Sequence, residues 1–144
     1  MSKKRQSVAV FDVDGTIFRS SLLISLVETM VAEGILPKKV QTYYRDAHKR
    51  WLDREGGYGE YINAMVDAFY ENIKGVHYSE FAEISKKVVE NQGKHTYRYT
   101  RNLIRQLKKD GYFLLAVSHS PKTILDQFCP GLGFDKTYGM IYEI

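Results

Sequence analysis

Two short runs of uninterrupted apolar residues constrain this chain most: VAVF, Val8–Phe11, near its start, and YFLLAV, Tyr112–Val117, near its end. A strand-length run that is apolar on both faces belongs in a parallel sheet buried between layers. Parallel strands cannot be joined by a tight turn; they need a crossover, usually a helix. Here the connection is far longer than a crossover requires, and its apolar residues recur every three or four positions. The expectation is a parallel α/β sheet with a helical insertion after the first strand.

The helices can be placed by their punctuation. Ser20 or Ser21 is a candidate cap for a helix to about Ala32, with Gly34 suited to end it. Pro37 starts a second, to about Arg54, carrying Val40, Tyr43, Tyr44, Ala47 and Trp51 on one side. REGGYGE then signals a loop. Tyr61–Ile73 and Ser79–Val89 follow, closed by Gly75 and Gly93, and a fifth helix runs from about Thr96 to Lys109. Beyond Val117, SHSP predicts a polar turn with Ser120 as cap and Pro121 at the first helical position, then a short helix. The glycine-punctuated end, GLGFDKTYGMIYEI, has room for one more short strand.

Composition narrows the function classes. With 44% hydrophobic and 26% charged residues the chain is an ordinary globular one. Its net charge of +4 comes partly from Lys3, Lys4 and Arg5, the rest being scattered among acids, which argues against nucleic-acid binding. Leu22–Leu36 is interrupted by Glu28 and Glu33 and cannot span a membrane. The apolar run behind the basic N-terminus is too short for a signal peptide. Cys129 is the one cysteine, so no internal disulfide forms and a cytoplasmic location is expected.

The first apolar run leads into DVDGT. Asp12 and Asp14 repel each other, which a strand end has no structural reason to tolerate. A calcium loop would need its glycine at position six, not four. Both aspartates could simply cap a turn. The second run ends at Ser118, ahead of a helix start, and ligands bind at the carboxyl ends of parallel strands. Two carboxylates facing such a point suit a hard divalent cation and a phosphate. An aspartate can also be the nucleophile, with a second carboxyl as acid and base.

FDVDGTIF resembles the first motif of the haloacid dehalogenase (HAD) superfamily, and LLAVSHSP resembles its second. The helical insertion, with the return through GKHTYRYTRNLIRQLKKDGYFLLAVSHSP, is similar to the cap and core of the phosphoserine-phosphatase-like branch. The resemblance implies a partial Rossmann-like parallel core, residues 1–19 and 95–144, with an α-helical cap over residues 20–94. It implies a phosphomonoester hydrolase acting on a small phosphorylated metabolite through an aspartyl-phosphate. Asp12 would be the nucleophile and Asp14 the general acid/base. Mg²⁺ would be bound by the Asp12 carboxylate and the Asp14 backbone carbonyl, and Ser118 would hold the phosphoryl group. Gly15, Thr16 and His119 are further phosphate-side candidates.

The third and fourth motifs of the family, a lysine and an acidic pair, have no counterpart before Ile144; Lys122 and Lys136 fall at the wrong places in the order. The expectation is a truncated, poorly active chain. A non-catalytic phosphate-binding or interaction module is the alternative. The glutamate that reads the amino group in phosphoserine phosphatases is replaced by Ser21. Arg19 is expected to be a surface arginine, with a substrate anion contact as the alternative; Tyr97 and Tyr99 are expected to pack. With strands missing, β-strand Val8–Phe11 would become a sheet edge, favouring a homodimer or aggregate.

Overall fold

A computed structural model describes residues 5–144. Three parallel strands, β1 (Val8–Asp12), β2 (Phe113–Pro121) and β3 (Lys136–Met140), form one sheet in the order β1-β2-β3. Between β1 and β2 the chain runs through α1 (Leu22–Ala32), a 3₁₀ segment (Lys38–Tyr43), α2 (Arg45–Leu52), α3 (Tyr58–Asn72), α4 (Tyr78–Gln92) and α5 (Arg98–Lys109). The short α6 (Lys122–Phe128) and a 3₁₀ turn (Pro130–Leu132) link β2 to β3. The architecture is the expected α/β class, a partial Rossmann-like parallel sheet with a helical insertion.

The chain divides into two compact units. One continues to Leu22 and resumes over Ser85–Ile141; the other is Leu23–Ile84 with Tyr142–Ile144. In the sheet unit the buried residues include Ile104 of α5, Leu114 and Ala116 of β2, and Ile124, Leu125 and Phe128 of α6. Edge-on ring pairs join Phe11 of β1 to Phe134 in the loop before β3, and Phe18 of the turn after β1 to Phe128 of α6. Asp135 holds the start of β3 to β2 by accepting from the Leu114 N–H at 2.8 Å and from Lys108 Nζ at 2.6 Å. Those bonds hold its carboxyl below the usual carboxylate range.

The helical unit is organised by its 3.6-residue pattern. Leu23, Leu26, Val27 and Met30 of α1 are buried, as are Tyr61, Met65, Ala68 and Phe69 of α3. Rings of His48, Trp51 and Tyr61 stack on one another, with His48 and Tyr61 centroids 4.5 Å apart. The segment Pro37–Arg54 is not one helix. Tyr44, at φ −123°, separates the 3₁₀ stretch from α2, and the Thr42 hydroxyl bonds back to the Lys39 carbonyl. β-branched Val40 and Thr42 hold a long helix poorly, so a tighter turn wins. Tyr44 and Val40 are buried there, whereas Tyr43 is exposed. Among the described residues no helix is long and apolar enough to cross a membrane.

One glycine fixes how α6 sits on the sheet. A Cβ on Gly139 would lie 2.5 Å from Leu125 Cδ1 and 2.8 Å from the Lys122 Cα, so β3 and α6 approach more closely than a side chain permits. Gly139→Ala should therefore lower unfolding stability by about 1–3 kcal/mol, the usual cost of overpacking. Urea unfolding would show this as a lower midpoint at unchanged slope, and an unchanged midpoint would show that the two elements can move apart freely.

Candidate active site

The site lies wholly within the sheet unit. Parallel register sets Asp12 beside Val117, so Asp14 lies just past the carboxyl end of β1 and Ser118 in β2 just beyond its last pairing with β1. Asp12 is exposed, and its Oδ2 accepts a 2.7 Å hydrogen bond from Thr16 Oγ1. The turn beyond it is built on backbone bonds: the N–H groups of Thr16, Ile17 and Phe18 all donate to the Val13 carbonyl. Gly15 has φ +76°, which only glycine takes up without strain, and its N–H donates to the carbonyls of Phe18 and Ser20, each at 2.9 Å. Gly15 thus shapes the turn, and its N–H is committed there rather than offered to a phosphate. Thr16 is tied at both ends, its carbonyl accepting from Thr100 Oγ1 at 2.9 Å.

Asp14 is held far more firmly than Asp12. Its Oδ1 accepts from the backbone N–H of Leu22, the first residue of α1, at 2.7 Å. Its Oδ2 accepts from the Ser118 hydroxyl, and the Ser120 hydroxyl reaches both oxygens at 3.1 and 3.0 Å. The backbone N–H of Ser120 in turn donates to Ser118 Oγ at 2.9 Å. Both serines are buried.

Ser120 is where the sequence reading needs correcting. The polar turn expected at SHSP is instead the end of β2, which stays extended through Pro121 at ψ 136°. Pro121 precedes α6 rather than opening it, and Ser120 makes no cap hydrogen bond there. Because the strand continues, its two-residue alternation governs. Ser118 and Ser120 share the inner face with Leu114 and Ala116, while His119 shares the exposed one with Val117. His119 therefore points away from the Ser118–Asp14 cluster. Pairing with β3 shifts register between Val117 and Pro121, so this end of β2 is irregular on its β3 side.

The remaining candidates fall elsewhere. Lys122 pairs with Asp126 at 2.6 Å, and Lys136 lies over the Tyr138 ring, 5.0 Å from its centroid. Arg19 joins the returning chain through its backbone, donating to the His95 carbonyl at 2.8 Å. Tyr97 and Tyr99 are exposed rather than packed. Cys129 is fully buried, and that burial, with the Asp126 and Asp14 carboxylates, pushes its thiol up to about 12, the environment of a structural cysteine.

The family profile of the haloacid dehalogenase-like hydrolases matches residues 9–142. The chain belongs to the HAD hydrolases. No curated protein matches it. Among solved structures it is similar to a protein of unknown function from Bordetella pertussis Tohama I, at TM-score 0.67 and 13% identity, covering 94% of this chain and 60% of that one. It also resembles phosphoserine phosphatase from T. onnurineus, at TM-score 0.51 and 21% identity, over 96% of this chain and 60% of that one. A substrate-bound phosphoserine phosphatase complex aligns at TM-score 0.54 and 15% identity, over 98% of this chain and 60% of the other. At these identities the likeness is one of fold, and this HAD chain spans 60% of the length of each of the three solved chains.

Proposed function

We propose that the protein is a Mg²⁺-dependent phosphomonoester hydrolase that works through an aspartyl-phosphate at Asp12. The observation that carries this is the contrast between the two carboxylates: Asp12 exposed with a single orienting hydroxyl, Asp14 clamped by three donors. A nucleophile must be reachable, and an acid/base must be held in place. Thr16 holds Asp12 Oδ2, leaving Oδ1 to attack phosphorus. As the bond from phosphorus to the ester oxygen breaks, that oxygen takes a proton from Asp14. Asp14 then removes a proton from water, whose oxygen attacks the acyl phosphate and returns Asp12 with inorganic phosphate.

The donor chemistry suits a hard cation, since Asp12 offers a carboxylate oxygen at the site's open side. The Asp12 carboxylate and the Asp14 backbone carbonyl would hold Mg²⁺, Asp14's carboxylate being engaged already. Bound there, the ion offsets charge on the phosphoryl oxygens. No group of three or more His, Cys, Asp or Glu that could hold a metal occurs among the described residues. Release of phosphate from an aryl phosphate by the whole protein, abolished by EDTA and restored by Mg²⁺, tests the reading; hydrolysis indifferent to EDTA would refute it.

The partners on this reading are a small phosphorylated metabolite and a second copy of the chain. β1 pairs only with β2 among the described residues, and Val8 and Val10 on it are 54% and 62% exposed. Antiparallel pairing of two β1 strands about Val10 would set the Arg5 end of one beside the Asp12–Asp14 end of the other, which is electrostatically favourable. Residues 1–144 should sediment as a concentration-dependent dimer that Val10→Lys dissociates. A monomer at every concentration would exclude the pairing.

A further inference from the structure

We propose that Ser120 is a positioning residue that keeps Asp14 in place while Ser118 changes partner. The inference rests on the phosphatase reading above and adds to it a division of labour between two hydroxyls. The Ser118 hydroxyl carries one proton, and in the structure it is donated to Asp14 Oδ2. The same proton cannot also be given to a phosphoryl oxygen, so binding a phosphoryl group through Ser118 requires the bond to Asp14 to break. Asp14 would then lose one of its donors at the moment its position matters most.

Ser120 removes that conflict. Its hydroxyl lies within hydrogen-bond reach of both Asp14 oxygens, at 3.1 and 3.0 Å. It can therefore settle on Oδ2 when Ser118 leaves, while the Leu22 N–H stays on Oδ1 at 2.7 Å. Ser120 is 3% exposed, so water does not readily substitute for it. Its backbone N–H, donated to Ser118 Oγ at 2.9 Å, keeps that hydroxyl oriented in either state. The arrangement depends on β2 staying extended through Pro121, because only then do positions 118 and 120 share a face. Without Ser120, Asp14 retains the Ser118 proton more strongly, and a phosphoryl group must compete for it.

Beryllofluoride with Mg²⁺ forms an acyl-phosphate mimic on an aspartate, and ¹⁹F NMR reads its affinity without turnover. On the whole protein, Ser120→Ala should weaken the complex by roughly tenfold, the worth of one charge-assisted hydrogen bond. Ser120→Thr should restore it. In an Asp14→Ala background, where Ser118 has no carboxylate to serve, Ser120→Ala should change little. An equal loss in both backgrounds would mean that Ser120 contacts the ligand directly and would overturn the proposal, as would unchanged affinity in the single variant. If wild type forms no complex while folded, the phosphatase reading fails and this inference with it.

Discussion

Asp12→Ala is expected to abolish phosphoryl transfer, lowering turnover by at least about 10³-fold while leaving the fold intact. The two effects separate because of where Asp12 sits. It is exposed at the end of an edge strand, and its one side-chain hydrogen bond is from Thr16, itself exposed. Removing a carboxylate close to Asp14 also relieves repulsion between like charges, so the melting temperature should hold or rise. Stability gained where activity is lost is the usual signature of a residue kept for chemistry. A variant that unfolded on losing Asp12 would instead mark the aspartate as structural. Steady-state hydrolysis of an aryl phosphate, run beside thermal unfolding, separates the two outcomes.

Asp14→Asn should lower turnover by about 10²–10⁴-fold, the range for loss of a positioned acid/base. The size should depend on the leaving group. An alkyl phosphate expels a strongly basic oxygen that needs a proton, so the full loss should appear there. An aryl phosphate expels a weakly basic phenolate, so its first step should suffer less. Hydrolysis of the acyl phosphate still needs a base, however, and a phosphorylated intermediate should accumulate with the aryl substrate. The fold should hold, since the Asn amide oxygen can still accept from the Leu22 N–H, although its NH₂ meets the Ser118 and Ser120 hydroxyls as a donor where Asp14 Oδ2 accepts. An equal loss for both substrates, with no accumulation, would remove Asp14 from the acid/base role.

Much of this was legible from the chain. VAVF and YFLLAV announced parallel strands, and Asp12, Asp14 and Ser118 stand out where those apolar runs end. The burial on both faces that VAVF suggested is not found, since Val8 and Val10 of β1 are exposed and Ala9 and Phe11 only half-buried. What escaped was the end of β2. SHSP has the composition of a turn, and proline after serine suggests a helix start, yet the strand carries on through it. That one misplacement hid Ser120, which the alternation of an extended strand would have put beside Ser118, and hid that His119 takes the opposite, exposed face. Gly15 was ambiguous for a different reason: a glycine needed for its positive φ and one offering an N–H to phosphate look alike in sequence. The break at Tyr44 turns on the competition between 3₁₀ and α geometry, which apolar periodicity does not register.

The central claim is a covalent bond between Asp12 and phosphorus, and chemical trapping tests it most directly. The whole protein, quenched with acid during turnover of a phosphomonoester and reduced with borohydride, should yield homoserine at position 12, located by peptide mass spectrometry. That product should be absent without substrate and should increase in Asp14→Asn. Turnover that leaves Asp12 unreduced under the same quench, or homoserine at another aspartate, would contradict the account.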